Sequence, residues 1–381
     1  MKRNVDLLEG PIAGSLAKLA FPIMGTSLIQ MAYNLVDMIW IGRISSNAVA
    51  AIGAAGMYMW LANGITTIPR MGGQVTVGQS LGAMDKDAAI DYARGSIRMG
   101  TLLGILYGII SVIFSGPLIG FFKLNSPDVI HDAKMYLIIT CGAIVFSFLN
   151  QVFTGILAAM GNTMATFRAT TIGLIINIVL DPLFIFGFGP VPRMEVTGAA
   201  IATVLAQIIV FLLYLVTVWN EPVIFKHIHL MQKTEKQHVR EIVRIGFPSA
   251  IQDALFSGIS MVIARLIAGW GDAAVAVQKV GSQIESISWM AAGGFSTAVN
   301  AFVAQNYGAG KKERIKKGYK TAMGIMALWG IFTSFILIAF PEFFFRIFIT
   351  ESDVLPMGVD YLRIIGISEF FMCMEITTAG A

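Results

Sequence analysis

The chain has 381 residues, 56% of them hydrophobic and 13% charged, with a mean hydropathy of +0.73 and a formal net charge of +4. A soluble domain of this length needs far more surface charge, so an ordinary soluble fold is excluded. Apolar runs of about 20 residues recur without strand-like alternation, which excludes an outer-membrane barrel and predicts an all-α polytopic membrane protein.

The N-terminus MKRNVDLLEG leads into the first apolar run without a small-residue cleavage site, so no removable signal peptide is expected, and Val5–Leu8 is expected to lie along the membrane surface. Ten spans follow, near 14–40, 47–78, 97–119, 135–160, 167–188, 197–219, 245–269, 274–305, 320–345 and 358–381. The first carries Gln30, Tyr33, Asn34 and Asp37 at helical spacing, one polar stripe on an otherwise apolar rod. An ionisable group at membrane depth costs several kcal/mol, so Asp37 should face a protein interior or a water-filled cavity.

In the fifth span Asn177 and Asp181 share a helix face, and Pro182 removes a backbone donor just after the acid. That combination predicts a locally opened helix able to offer oxygen to a proton or cation. Asn150 in the fourth span and Thr203 in the sixth are candidate hydrogen-bonding partners. The polar connection Asn220–Glu241 reads as a linker, and His227, His229 and His238 within it lack the cysteines or carboxylates of a metal site. The second half offers Gln252 and Asp253, then Gln278, Lys279, Ser282 and Glu285, then Glu375. Cys141 and Cys373 both lie inside apolar spans and are expected as free thiols.

Lysines and arginines divide 17 to 5 between alternate sides, which places the N-terminus and the even-numbered loops in the cytoplasm of a cell-membrane protein. This topological role accounts for the basic run Lys311–Lys320, so no nucleic-acid partner is expected. Phe21-Pro22 recurs as Phe247-Pro248, Ala48-Val49-Ala50 as Ala274-Val275-Ala276, and Gln79, Gly82, Ala83 and Lys86 as Gln305, Gly308, Ala309 and Lys312, all offset by 226. The repeat unit holds an even number of spans, so two six-helix lobes should be related by a pseudo-twofold along the membrane normal, with a cavity between them. The first lobe is assigned to 1–219, the linker to 220–244 and the second lobe to 245–381. By the same arithmetic the counterparts of spans five and six are missing, so the second lobe is expected to be incomplete.

There is no G-x-x-x-x-G-K-[ST], H-E-x-x-H or G-x-S-x-G motif, so neither ATP nor a recognised catalytic constellation is indicated, and no cofactor is expected. FPIM…LVDMIWIGR…AVAAIG, VGQSLGAMDK, AAMGNTMATF, the N-x-x-x-D-P of Asn177–Pro182, and FPSAIQ…AVAVQKVGSQIESI…AQNYGAGK resemble the multidrug and toxic compound extrusion (MATE) transporters. The resemblance implies two six-helix bundles that export organic cations or drugs in exchange for H⁺ or Na⁺, as a monomer in the lipid bilayer. It implies that Asp37, Asn177 and Asp181 form the coupling-ion site, which Na⁺ would occupy transiently, with Asn150, Thr203 and Tyr136 in its network. It also associates Pro22 with bending of the first helix. Some members place sodium in the second lobe on a span-seven glutamate and a span-ten acid. Here the latter is matched by Glu375, while the former falls on Gln252, beside Asp253. A lipid-linked oligosaccharide flippase is the alternative within the superfamily, and a membrane-embedded enzyme the alternative outside it.

Overall fold

The computed structural model describes residues 5–122, 124, 126–188, 192–219, 221–222, 224–229, 232–270, 272–347 and 354–381. The side chains of Asn34, Asp37, Arg265 and Lys279 lie outside the described residues. Thirteen α-helices are described: α1 Ile12–Gly42, α2 Ser46–Gly82, α3 Lys86–Ile113, α4 Ser115–Gly120, α5 Pro127–Gly142, α6 Ile144–Ala159, α7 Thr163–Phe186, α8 Glu195–Trp219, α9 Lys236–Ala268, α10 Asp272–Gly308, α11 Lys312–Ala339, α12 Pro341–Arg346 and α13 Leu355–Ala379. No strand occurs among the described residues.

Local chemistry sets several of the boundaries. The Ser45 side chain accepts from the Ala48 amide and opens α2, and Asp85 does the same for α3 through Ala88. Pro127 and Pro341 occupy first-turn positions, where a missing N–H costs nothing. Met84 (φ 61°) turns the chain from α2 into α3, and Gly310 (φ 69°), 226 residues later, turns α10 into α11. The repeat therefore extends to the backbone conformation of its turns.

Seven described helices are long and apolar enough to cross a membrane, or eight if α5 and α6, bent by 47°, count as one span. The fourth expected span is thus broken at Gly142–Ala143. Of the other two expected spans, α9 is 33 residues long, with several of its side chains outside the described residues, and α13 is 25 residues long and carries four charged residues. Gln252 and Asp253 interrupt α9, and Asp360, Arg363, Glu369 and Glu375 lie along α13. Helix α7 runs unbroken through Pro182, in contrast to the opened helix expected there. Helix α9 begins at Lys236, within the stretch assigned to the linker.

The two halves meet through α2 and α10, with α1 packed along α10 and α9 along α2. Within Val5–Leu8, expected along the membrane surface, Leu7 turns into the protein. Leu7, Leu16, Leu19 and Ala20 are buried in one apolar core with Ala292, Phe295, Val299 and Phe302 of α10 and Met326 of α11. The repeat makes the counterpart visible: Ile242, 226 residues after Leu16, is buried in the first-lobe core with Ala93 and Phe153. Each lobe thus takes the first turns of the other lobe's leading helix into its own core.

Candidate functional site

Helices α1 and α7 pack side by side and run parallel. The Thr163 hydroxyl donates to the Leu19 carbonyl at 3.0 Å, a Cβ on Gly25 would touch the Phe167 ring, and the Trp40 and Phe186 rings stand 6.1 Å apart. This register puts backbone position 37 at the level of 181–183. The polar stripe of the first span is therefore brought to the same depth as the acid of the fifth. Asp37 and Asn34 themselves lie outside the residues whose side chains are described.

Asp181 is fully buried, and Asn177, 1% exposed, donates from Nδ2 to Asp181 Oδ1 at 3.0 Å. A hydrogen bond to a buried carboxylate is stronger than one between neutral groups, so Asn177 fixes the rotamer of the acid as well as stabilising it. Pro182 leaves the carbonyl of residue 178 without its i+4 donor even though the helix continues. On the neighbouring helices, the Tyr33 hydroxyl donates to Thr203 Oγ1 at 3.1 Å. Tyr136 of α5 is buried in one core with Ile185 of α7 and Ala199 and Ala200 of α8. Three of the helices expected to contribute, α1, α7 and α8, therefore converge here.

Toward the end of the lobe that carries the N-terminus, a cavity of about 120 Å³ opens between α1, α6, α7 and α8. Gln30 and Tyr33 line it, as does Asn150, which donates from Nδ2 to the Gln207 carbonyl at 3.0 Å and to Gln207 Oε1 at 2.9 Å. Thr154, Gln207 and Tyr214 also line it, with Thr154 and Tyr214 3.0 Å apart through their hydroxyls. Sequence reasoning missed these three. The available signal was spacing: Thr154 is four residues after Asn150 and Gln207 four after Thr203, continuing each polar face by one turn. Among the described residues the lining includes amides and hydroxyls but no charged side chain, a surface that hydrates or hydrogen-bonds a guest without repelling a cation.

The second-lobe candidates are not brought together. Gln252 and Asp253 are exposed on α9, where Asp253 Oδ2 accepts from Thr67 Oγ1 at 3.0 Å, and Glu375 is exposed on α13. Gln278 and Glu285 are half-buried on α10 without a hydrogen bond or ion pair among the described residues. The buried acid of this lobe among the described residues is Glu369, fully enclosed beside Ser288 and Glu285 of α10. It lies six residues before Glu375, on the face of α13 turned inward. Cys141 and Cys373 are free and buried. No group of metal-binding side chains occurs among the described residues. His238 is not a solvated loop residue: its Nδ1 lies 2.6 Å from Asp91, which also pairs with Arg94 at 2.6 Å.

The MatE family model matches this chain over residues 22–183 and again over 248–381, two segments whose first residues, Pro22 and Pro248, are themselves 226 apart. The chain belongs to the MatE family. Among its relatives is the probable multidrug resistance protein NorM of Thermotoga maritima, 30% identical over 373 residues, covering 97% of this chain and 79% of the relative. The FAD transporter of Shewanella oneidensis is 26% identical over 375 residues, covering 96% of this chain and 80% of that one. Among solved structures, a multidrug resistance MATE transporter described in an outward-facing conformation matches all of this chain and 84% of its own, with a TM-score of 0.88 at 23% identity. The MATE fold is therefore assigned to the chain, which spans about four fifths of the length of these proteins.

Proposed function

We propose that this MATE protein exports amphipathic organic cations or drugs by antiport against H⁺ or Na⁺, with Asp181, Asn177 and Asp37 as the coupling site. The observation that carries this reading is a fully buried aspartate, held by Asn177, at the depth where the polar stripe of α1 arrives. A carboxylate placed there has a use if a cation enters and leaves it, because neutralising it changes the energy of a dry environment by several kcal/mol. The first-lobe cavity, with no arginine or lysine among the described lining residues, suits a cation or a neutral drug better than an anionic nucleotide or a lipid pyrophosphate, either of which would call for such residues. Alternating access between the two lobes would deliver cargo and coupling ion to opposite sides.

The test is efflux of a fluorescent cationic dye from energised cells, comparing the wild-type protein with Asp181→Asn, Asp37→Asn and Asn177→Ala. Both aspartate variants should lose at least about tenfold in efflux rate, the loss of roughly 1.4 kcal/mol of coupling. Varying Na⁺ at fixed pH separates the two ions. Aspartate variants that pump like wild type would sink the reading.

A further inference from the structure

Residues 5–10 precede the first span, yet their backbone is held more thoroughly than many loops inside the fold. From the second lobe, Arg314 at the start of α11 donates through Nε to the Leu7 carbonyl at 3.3 Å, through Nη2 to Glu9 at 2.9 Å and through Nη1 to Gly10 at 2.9 Å. Lys311 Nζ donates to the Leu8 carbonyl at 2.9 Å, and Asn306 Nδ2 to the Leu7 carbonyl at 3.0 Å. Four consecutive carbonyls are thus capped by side chains of one turn, while Leu7 inserts into the apolar core beneath. The Arg314 guanidinium also lies over the Phe302 ring, 5.5 Å from its centroid.

From the first lobe the same stretch is held at one point, and the start of α1 behind it at a second. The Val5 amide donates to the Gly161 carbonyl at 3.0 Å in the turn between α6 and α7, and Thr163 holds the Leu19 carbonyl. Gly161 has φ +77°, and a Cβ there would run into the Val5 backbone, so the turn is shaped to let the strap pass. The linker has the corresponding place on the opposite lobe: Arg98 donates to the Gln232 carbonyl at 2.8 Å, and Asp91 accepts from the Glu235 amide at 3.2 Å.

We propose that residues 5–10 are a strap that clips the two lobes together on the face carrying the N-terminus, stabilising the state in which that face is shut. Five side-chain hydrogen bonds and the burial of Leu7 fix it to the second lobe, whereas one hydrogen bond ties this stretch to the first, with Thr163 holding the α1 turn behind it. The strap therefore stays with the second lobe and lets go of Gly161, and Leu19 of α1 lets go of Thr163, when the face opens. It stands on contacts alone, so it holds or fails independently of the cargo and of the coupling ion.

The experiment places spin labels at Met84→Cys and Lys312→Cys, both exposed at the turns on this face, and measures their separation by pulsed electron resonance in the purified full chain. Cys141 and Cys373 are buried and stay unlabelled. Arg314→Ala and Leu7→Ala should each raise the longer-distance population about tenfold, the effect of losing one or two hydrogen bonds to a charged donor or a buried leucine's anchorage. Thr163→Val should do so from the other lobe while leaving the second-lobe clamp intact, so the idea remains testable if an Arg314 variant misfolds. Lys316→Ala, which removes an equal charge from an exposed side chain paired with Glu313, should leave the distribution unchanged. An unchanged distribution in Arg314→Ala and Thr163→Val, or an equal shift in Lys316→Ala, would overturn the strap.

Discussion

Replacing Gly82 or Gly308 by alanine tests whether the two halves close on one another as equivalents. Each glycine lies against the backbone of the opposite half: a Cβ on Gly82 would enter the Gln305 carbonyl, and one on Gly308 would enter the Gln79 carbonyl. The two obstacles are related by the same 226-residue offset as the glycines themselves. Gln74 Nε2 donates across this seam to Asn300 Oδ1 at 3.0 Å, and positions 74 and 300 are again 226 apart, as expected for a contact on the pseudo-twofold axis. Because the obstacle is backbone, no rotamer change relieves it, and α2 and α10 must part by roughly 1–2 Å to regain contact at ~3.5 Å.

Overpacking of this kind costs about 1–3 kcal/mol, which moves the closed-to-open ratio about 5- to 150-fold. Symmetry adds a sharper demand. The two single variants should open the seam to a similar extent, and the double variant by less than their sum, since the first substitution already separates the helices. Amide hydrogen exchange of peptides covering 74–82 and 297–308 reads this directly, with both peptides speeding up in either variant. One silent variant, or acceleration confined to the mutated helix, would refute the isologous seam.

Glu369→Leu should raise the melting temperature in detergent, because replacing a fully enclosed carboxyl by an apolar group of similar volume is worth about 1–4 kcal/mol. A lowered melting temperature would mean the carboxyl is satisfied. Asn150→Ala should destabilise the first lobe by about 1–3 kcal/mol by stranding the Gln207 acceptors. Adding Gln207→Leu should recover part of that loss, and strictly additive effects in thermal unfolding would count against the pair. Asp91→Asn weakens the hub joining Arg94, His238 and the Glu235 amide, so limited proteolysis should cut the linker between 220 and 235 faster. An unchanged digestion pattern would remove that role.

What the sequence made legible followed the range of the signals involved. Asn177 and Asp181 lie one turn apart on one helix, so helical geometry alone foretold their contact. The 226-residue repeat was readable because glycine, proline and glutamine recur at turns and close approaches where few other residues fit. Leu7 was misplaced because nothing within Val5–Leu8 announces Arg314, more than 300 residues away in the chain, whose guanidinium gathers its carbonyls. Glu369 was passed over for Glu375 because the two differ only in which face of α13 they occupy, and that is decided by packing against α10 and α11. His238 reads as a loop histidine until α3 supplies Asp91 and Tyr92, whose ring lies 4.3 Å from the imidazole.

Helix α1 carries both Pro22 and the acid, and its packing bears on how the two would act together. Up to Ala20 it is built into the second-lobe core, and from Gly25 onward it follows α7 of the first lobe. Pro22 falls between these two attachments. It lacks the amide that would bond the carbonyl of residue 18, while Thr26 Oγ1 takes up the Pro22 carbonyl at 2.9 Å. Relative movement of the lobes would then bend α1 near Pro22, where Ile23 and Met24 still pack against the second-lobe core. Helix α9 repeats the device around Pro248, with Ile242 held in the first lobe, but position 263, the counterpart of Asp37, is isoleucine. In the proposed cycle a cation arriving between α1 and α7 therefore acts on one hinge of the pair. The first-lobe end of α1 changes its hold on α7 while its other end stays with the strap, so occupancy of the coupling site and closure of the seam are joined through one helix.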